Sequence, residues 1–490
     1  MIYQLTSLLI GLILPKYFTE IFGSVYNGLN QTVSQIMSLL SVLQLGISAV
    51  SIQQMFKYIA TDNKAMLTSV YRETERKYRQ MGFVFLTVLV PIIIVFPMLI
   101  RENISYKIAV AFLLFRSISS AMEYFFQAKY SVVLIAHNKS YLIYALNTLL
   151  LVIGTALNLT ILFTVKNILI YQAVSVLVSL LRMIIVGGYI SWKFPFLLLK
   201  STVEYHETPD SRRRDVLVSE IAGVVIESTD ILVLSIFSGL VSASIYSVYN
   251  FVTTGLGNVL SSCREAVFAS IGQTYYSDFE EFKNKMDRFE SIYIFLVFFL
   301  YMNAILLFKP FITVYTSNMD TQYIFAGFPI LFVLAKIAVN LRIPSIVAIN
   351  TAGHFAQVKH YAVIEAAINL IISLLLVKPL GIYGVLIGTI SGAIFRTPVL
   401  TYYANKNIMK RRTIEFWKKS FIWLPMFLAC YLTSILWPIE CFSLLHWVEV
   451  SALVAGIVLV ISLIWMRIFD RRTSDELKTI VTKLFRKKGE

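Results

Sequence analysis

Charge is scarce in this chain. Asp, Glu, Lys and Arg make up 14% of its 490 residues, against about a quarter in soluble domains, so an ordinary water-facing surface cannot be built from them. Cysteine is scarcer still. Cys263, Cys430 and Cys441 have no metal-ligand or redox spacing, which argues against a zinc or iron–sulfur module and leaves them as packing residues. The sequence has no GxxxxGK[ST] phosphate loop, no soluble nucleotide-binding domain, no metal cluster and no RNA- or DNA-binding motif. No basic n-region precedes the first apolar run, so no cleavable signal is expected.

What the chain has instead is apolar length. Hydrophobic residues reach 57%, and a spanning helix needs roughly 20 of them in a run. By that measure fourteen spans are expected, at 2–22, 29–56, 81–100, 108–128, 140–164, 168–192, 216–238, 242–263, 291–315, 322–350, 357–377, 381–403, 417–437 and 446–466. The loops between them alternate in charge. Segments 57–79, 129–139, 193–214, 264–288, 406–419 and 467–488, with Lys359, hold 32 basic residues, and the intervening ones hold six. Cytoplasmic loops collect Lys and Arg, so both termini are placed inside. The net charge of +15 then suits anionic lipid headgroups better than nucleic acid.

Two stretches carry one signature. VKNILIYQAVSVLVSLLR at 165–182 and VKPLGIYGVLIGTISGAIFR at 377–396 both open on Val-Lys and close on arginine, which makes Arg182 and Arg396 copies of one position. The expected architecture is therefore an all-α integral membrane protein of two six-helix lobes, related by a parallel pseudo-two-fold, plus two C-terminal helices. Residues 1–192 form the first lobe, 193–215 a cytoplasmic linker, 216–404 the second lobe and 405–466 the added pair. In the tail, 467–490, Thr473 to Glu476 reads as a capping box before a basic amphipathic helix at the membrane surface, or one that meets a regulatory partner.

Five basic residues, Arg116, Arg182, Lys336, Arg342 and Arg396, fall inside spans. A central charge costs roughly 2.5–3.5 kcal/mol on insertion scales, so they should face a wet interior that suits a polar, anionic substrate. Acids accompany them. Glu220, Glu227 and Asp230 share a helix face, Glu123 lies two turns from Arg116, and Glu365 lies one turn from Asn369. Glu227 and Asp230 lie about 17 and 21 Å along their helix, a depth that suits proton or sodium coupling. Plainer roles stay open: Glu220 and Arg342 also fit helix-end residues that snorkel or pair, Arg182 and Arg396 also fit snorkelling ends, and Arg116 with Glu123 also fits an internal brace. Short outer loops argue against a glycosyltransferase or polysaccharide polymerase, so no enzyme is expected.

FGSVYNGL at 22–29, LQLGISAV at 43–50, YRETERKYRQMG at 71–82, STDILVLSIFSGLVSASIYSVYN at 228–250 and the run from Ile349 to Arg396 resemble the polysaccharide transporter family of the multidrug/oligosaccharidyl-lipid/polysaccharide exporter superfamily. That resemblance, over residues 1 to about 404, implies a bacterial inner-membrane flippase of undecaprenyl-diphosphate-linked oligosaccharides for O-antigen, capsule or exopolysaccharide. It further implies alternating access, an ion gradient in place of a cofactor, and a polysaccharide polymerase and chain-length regulator as partners. Lys16 stands where relatives often carry a basic residue. Arg116, Arg182, Lys336, Arg342, Arg396 and Lys16 are then the substrate candidates; Glu227, Asp230, Glu123 and Glu365 are the coupling candidates. A lipid-linked peptidoglycan precursor flippase and a multidrug antiporter remain the alternatives.

Overall fold

The computed structural model describes residues 2–100, 102, 104–198 and 211–486, and among these it is helical without strands. Two compact units, Met1–Ser247 and Val248–Glu490, make up the chain. The predicted linker at 193–215 lies largely outside the described residues.

The first unit runs α1 (Ile2–Phe22), α2 (Ser24–Ser41), α3 (Ile47–Ala60), α4 (Lys64–Leu99), α5 (Tyr106–Met122), α6 (Ala128–Ala136), α7 (Ser140–Thr164), α8 (Ile168–Lys193), α9 (Ser211–Phe237) and the start of α10 (Leu240–Ser277). Gly46, at φ 79°, breaks α2 from α3, because only glycine enters the left-handed region freely; the two helices bend there by 41°. Asn63 caps α4 by accepting the Met66 N–H at 3.0 Å, and Asn167 caps α8 by accepting those of Leu169 and Ile170. The core gathers Phe18, Leu29, Val33, Phe85, Phe112, Leu113 and Tyr124 from α1, α2, α4, α5 and the following turn. Gly28 lets α10 in, since any Cβ there would collide with the Leu240 carbonyl.

The second unit continues with α11 (Phe279–Tyr315), α12 (Phe328–Leu341), α13 (Ile343–Ala352), α14 (Phe355–Leu380), α15 (Ile382–Tyr403), α16 (Ile414–Phe421), α17 (Leu424–Leu436), α18 (Leu444–Phe469) and α19 (Arg471–Arg486). Asp278 caps α11 through the N–H groups of Glu280 and Glu281. Tyr249 anchors an aromatic knot, its ring 4.6 Å from that of Phe328 and stacked on Phe308 and Phe332. Its hydroxyl donates to the Tyr323 carbonyl at 2.8 Å.

Among the described residues, ten helices are long and apolar enough to cross a membrane, or eleven when the bent pair α2–α3 is taken as one span. The exposed side of α18, with Leu453, Ile457, Val460, Ile461 and Ile464, is what a lipid-facing helix presents. Several predicted spans coincide with helices that are less apolar. α9 exceeds the charge expected of a span because it carries Glu220, Glu227 and Asp230, and α10 opens on serines, tyrosines and threonines. Two loop expectations need correction. The basic segment 57–79 is largely helix, the first half of α4. The tail helix begins at Arg471, and its cap is Asp470, which accepts the N–H and hydroxyl of Thr473; Thr473 itself is buried within the helix, so the predicted capping box does not form.

Candidate functional site

The polar interior of the first unit is made where α1, α2, α5, α7 and α8 meet. Arg116 on α5 donates from Nη2 to the Ser34 hydroxyl at 2.9 Å, and Gln172 on α8 donates to Oδ1 of Asn30 at 3.1 Å. Asn27, 1% exposed, donates to the Ser244 hydroxyl at 2.7 Å. No acid pairs with Arg116 among the described residues, so the predicted brace to Glu123 does not form. Glu123 opens a π-helical turn, Glu123–Gln127, an irregularity often retained at functional positions. On α1, Lys16 lies inside the helix rather than at its end and sits 3.9 Å from Glu20.

Arg182 is half-buried on α8 and forms no ion pair among the described residues. On α9 the expected common face splits. Asp230 is buried and accepts the Tyr246 hydroxyl at 2.5 Å, whereas Glu227 and Glu220 are exposed. Residues three apart on a helix point about 60° away from each other, and the packing seam runs between Glu227 and Asp230.

In the second unit the buried charges close on themselves. Gly384, Gly388 and Gly392 form a one-per-turn ladder on α15, and a Cβ at Gly392 would stand 3.1 Å from the Glu365 Cγ and carbonyl. The ladder therefore brings α15 hard against α14, and Arg396, one turn beyond Gly392, reaches Glu365. Arg396 Nη1 donates to one carboxylate oxygen at 2.7 Å and Arg342 Nη1 to the other at 2.5 Å. Glu365 is 2% exposed. Arg342 is buried and paired rather than snorkelling, the second of the two plain roles expected of it, and the pairing extends to a three-member clamp. Asn369 donates to Thr389 at 3.0 Å one turn away. Lys336 donates to Asn250 at 3.1 Å, and Asn340 donates to the Tyr301 hydroxyl at 3.2 Å.

Each unit also ties down a long helix where the sequence places the cytoplasm. In the first, Lys129 reaches Glu75 on α4 at 2.5 Å, with Arg72 at 2.9 Å. In the second, Arg411 and Lys419 both bridge Asp287 and Glu290 on α11, and Arg472 adds a contact of 3.0 Å to Asp287. Burial alone would push the Asp287 carboxyl up, but Lys419, Arg411 and Arg472 together hold it below the usual carboxylate range. Sequence reading counted these cations toward lipid and missed their partners; the one signal was a pair of acids, one turn apart, at the edge of an apolar run. It also passed over Asn27, Gln172 and Asn250, which were visible only as uncharged polar residues inside apolar helices.

No family model and no curated protein matches the sequence. Solved structures do share its fold. The lipid II flippase MurJ in an inward closed conformation aligns over 96% of this chain and 98% of its own, with 17% identity and a TM-score of 0.62. An inward-facing multidrug resistance MATE family transporter of the MOP superfamily aligns over 84% of this chain and 95% of its own, at 14% identity and a TM-score of 0.56. MATE in complex with MaD3S follows at 13% identity, 85% and 95% coverage and 0.53. The chain is a multi-pass membrane protein that shares the fold of these solved structures, and these neighbours are transporters rather than enzymes.

Proposed function

We propose that the chain is a flippase that carries undecaprenyl-diphosphate-linked oligosaccharide from the cytoplasmic to the outer leaflet of a bacterial inner membrane. It works by alternating access, with fourteen spans and both termini inside. The observation that carries this reading is cationic side chains in apolar helices, combined with a fold like that of a lipid II flippase over nearly the whole chain. Arg182 is the leading diphosphate ligand, because Arg342 and Arg396 are already committed to Glu365. Lys336 is the candidate of the second unit. Asp230, with Glu227 three residues away, is the place for proton or sodium coupling, since a buried carboxylate under a tyrosine hydroxyl is held where a cation can exchange with a proton. A polysaccharide polymerase and chain-length regulator would consume the product.

The test is transport of a labelled undecaprenyl-diphosphate oligosaccharide in proteoliposomes of the purified chain. Protection of the label from an outside-acting reagent should depend on the protein and on a proton or sodium gradient. Protein-independent flipping rejects the substrate; indifference to both gradients and to Asp230→Asn and Glu227→Gln rejects the coupling role.

A second reading, a lipid-linked peptidoglycan precursor flippase, is favoured by the same neighbour. Complementation of that essential activity separates the two.

A further inference from the structure

The first unit holds a cavity of about 190 Å³, lined by Pro15 of α1, Asn27 and Asn30 of α2, Arg116 of α5, Asn158 of α7 and Gln172 of α8. A water takes up about 30 Å³ of liquid, so the space suits a small ion with part of its hydration. It cannot hold a diphosphate that carries sugars. We propose that this cavity is a binding site for a small inorganic anion of halide size, with the Arg116 guanidinium as its counter-charge.

Charge balance points there first. Among the described residues no acid pairs with Arg116; the Tyr171 phenol beside it is neutral in its ordinary range, and the polar partner of Arg116 is the uncharged Ser34. A half-buried cation with neither acid nor ligand among the described residues is costly to keep. Hydrogen bonding points the same way. Arg116 Nε is buried and makes no hydrogen bond among the described residues, and neither do Oδ1 of Asn27 nor Oδ1 of Asn158. The two ends of an amide side chain exchange by a half-turn. Turned in that way, Asn27, which lines the cavity, would accept from the Ser244 hydroxyl and present N–H donors where its unpaired oxygen stands, as an anion requires. A guanidinium has no such freedom, for it is always positive and donor-only. A cation is therefore repelled from this cavity, whereas an anion satisfies both the charge and the donors. Lys16 and Glu20, on the same α1 helix, offset each other 3.9 Å apart and do not supply the missing charge.

The inference does not depend on the transported substrate, and its test reads binding instead of export. Radiolabelled chloride should bind the purified full-length protein saturably, be displaced by bromide and not by gluconate, and raise the thermal midpoint relative to gluconate at equal ionic strength. Asn158→Asp places a carboxylate of the same shape in the cavity and should expel the anion. Affinity should then fall by at least about tenfold, as it should in Arg116→Gln, and chloride should no longer move the midpoint of either variant. Should both variants fail to fold, bromide anomalous scattering from wild-type crystals locates the ion with no substitution, and a peak beside Arg116 is expected. Absence of saturable halide binding, unchanged affinity in folded Asn158→Asp, or a bromide peak elsewhere would overturn the proposal.

Discussion

The helix pairs α7–α8 and α14–α15 began from one signature and now do different things. On α15 the glycines at 384, 388 and 392 bring the backbone close to α14, and Arg396 ends the ladder against Glu365. On α8, aligned on the shared Ile-Tyr, the same positions hold Gln172, Val176 and Leu180. The position that matches Glu365 is Ile153, 37% exposed. Neither the glycine ladder nor the acid is present on this pair. On the same alignment Arg396 falls at Ile184 and Arg182 at Ile394, so the two arginines close equivalent helices two residues out of register and are not copies of one position: Arg396 serves as a structural clamp, while Arg182 forms no ion pair among the described residues.

The difference is open to attack in order of size. Glu365→Leu should strip two buried guanidiniums of their counter-charge and destabilise the protein by about 3–5 kcal/mol, seen as a large fall in the thermal midpoint in detergent. Arg182→Ala should stay within about 0.5 kcal/mol of wild type. Next come the glycines. Gly388→Ala drives a methyl into Ser373 and the Asn369 carbonyl and should cost about 1–3 kcal/mol. Gly188→Ala on α8 meets nothing within 4 Å and should gain about 0.5–1 kcal/mol of helix propensity; equal effects at both sites would dissolve the contrast.

The smallest effect concerns the helix anchors. Asp287 has its carboxyl held low by Lys419, Arg411 and Arg472. Its stabilisation is present above the unfolded value of about 4 and is lost as pH falls through the folded one. Lys419→Gln should therefore be less stable than wild type near pH 6, with the gap narrowing below pH 4 in thermal melts. A gap constant with pH would remove the charge from the explanation. The anchor in the first unit, Lys129 to Glu75, should show the same sign in Lys129→Gln with a smaller amplitude, since fewer cations share that carboxylate.

Helix positions were legible wherever hydrophobic length alone decides them: the span expected at 140–164 is α7, Ser140–Thr164. What hydropathy cannot express was lost. The bend at Gly46 is a backbone-dihedral event, and the basic segment of α4 stays helical in water because Asn63 caps it and Glu73 and Glu75 pair with neighbouring cations. Site residues were legible as charges in apolar runs but not as partners. Glu365, Arg342 and Arg396 lie on three different helices, and no periodicity in one helix reports what another brings to it. Glu227 and Asp230 show the converse limit, for a shared face is a matter of degrees and the seam that separates them belongs to the packing.

The central claim is that Arg182 serves as ligand and Arg396 as clamp. The direct measurement is transport of labelled undecaprenyl-diphosphate oligosaccharide in proteoliposomes by Arg182→Ala, with thermal midpoint and reconstituted amount matched to wild type. Transport should be lost while the midpoint is kept, whereas Arg396→Ala should lower the midpoint itself. Wild-type transport by a well-folded Arg182→Ala protein would contradict the account.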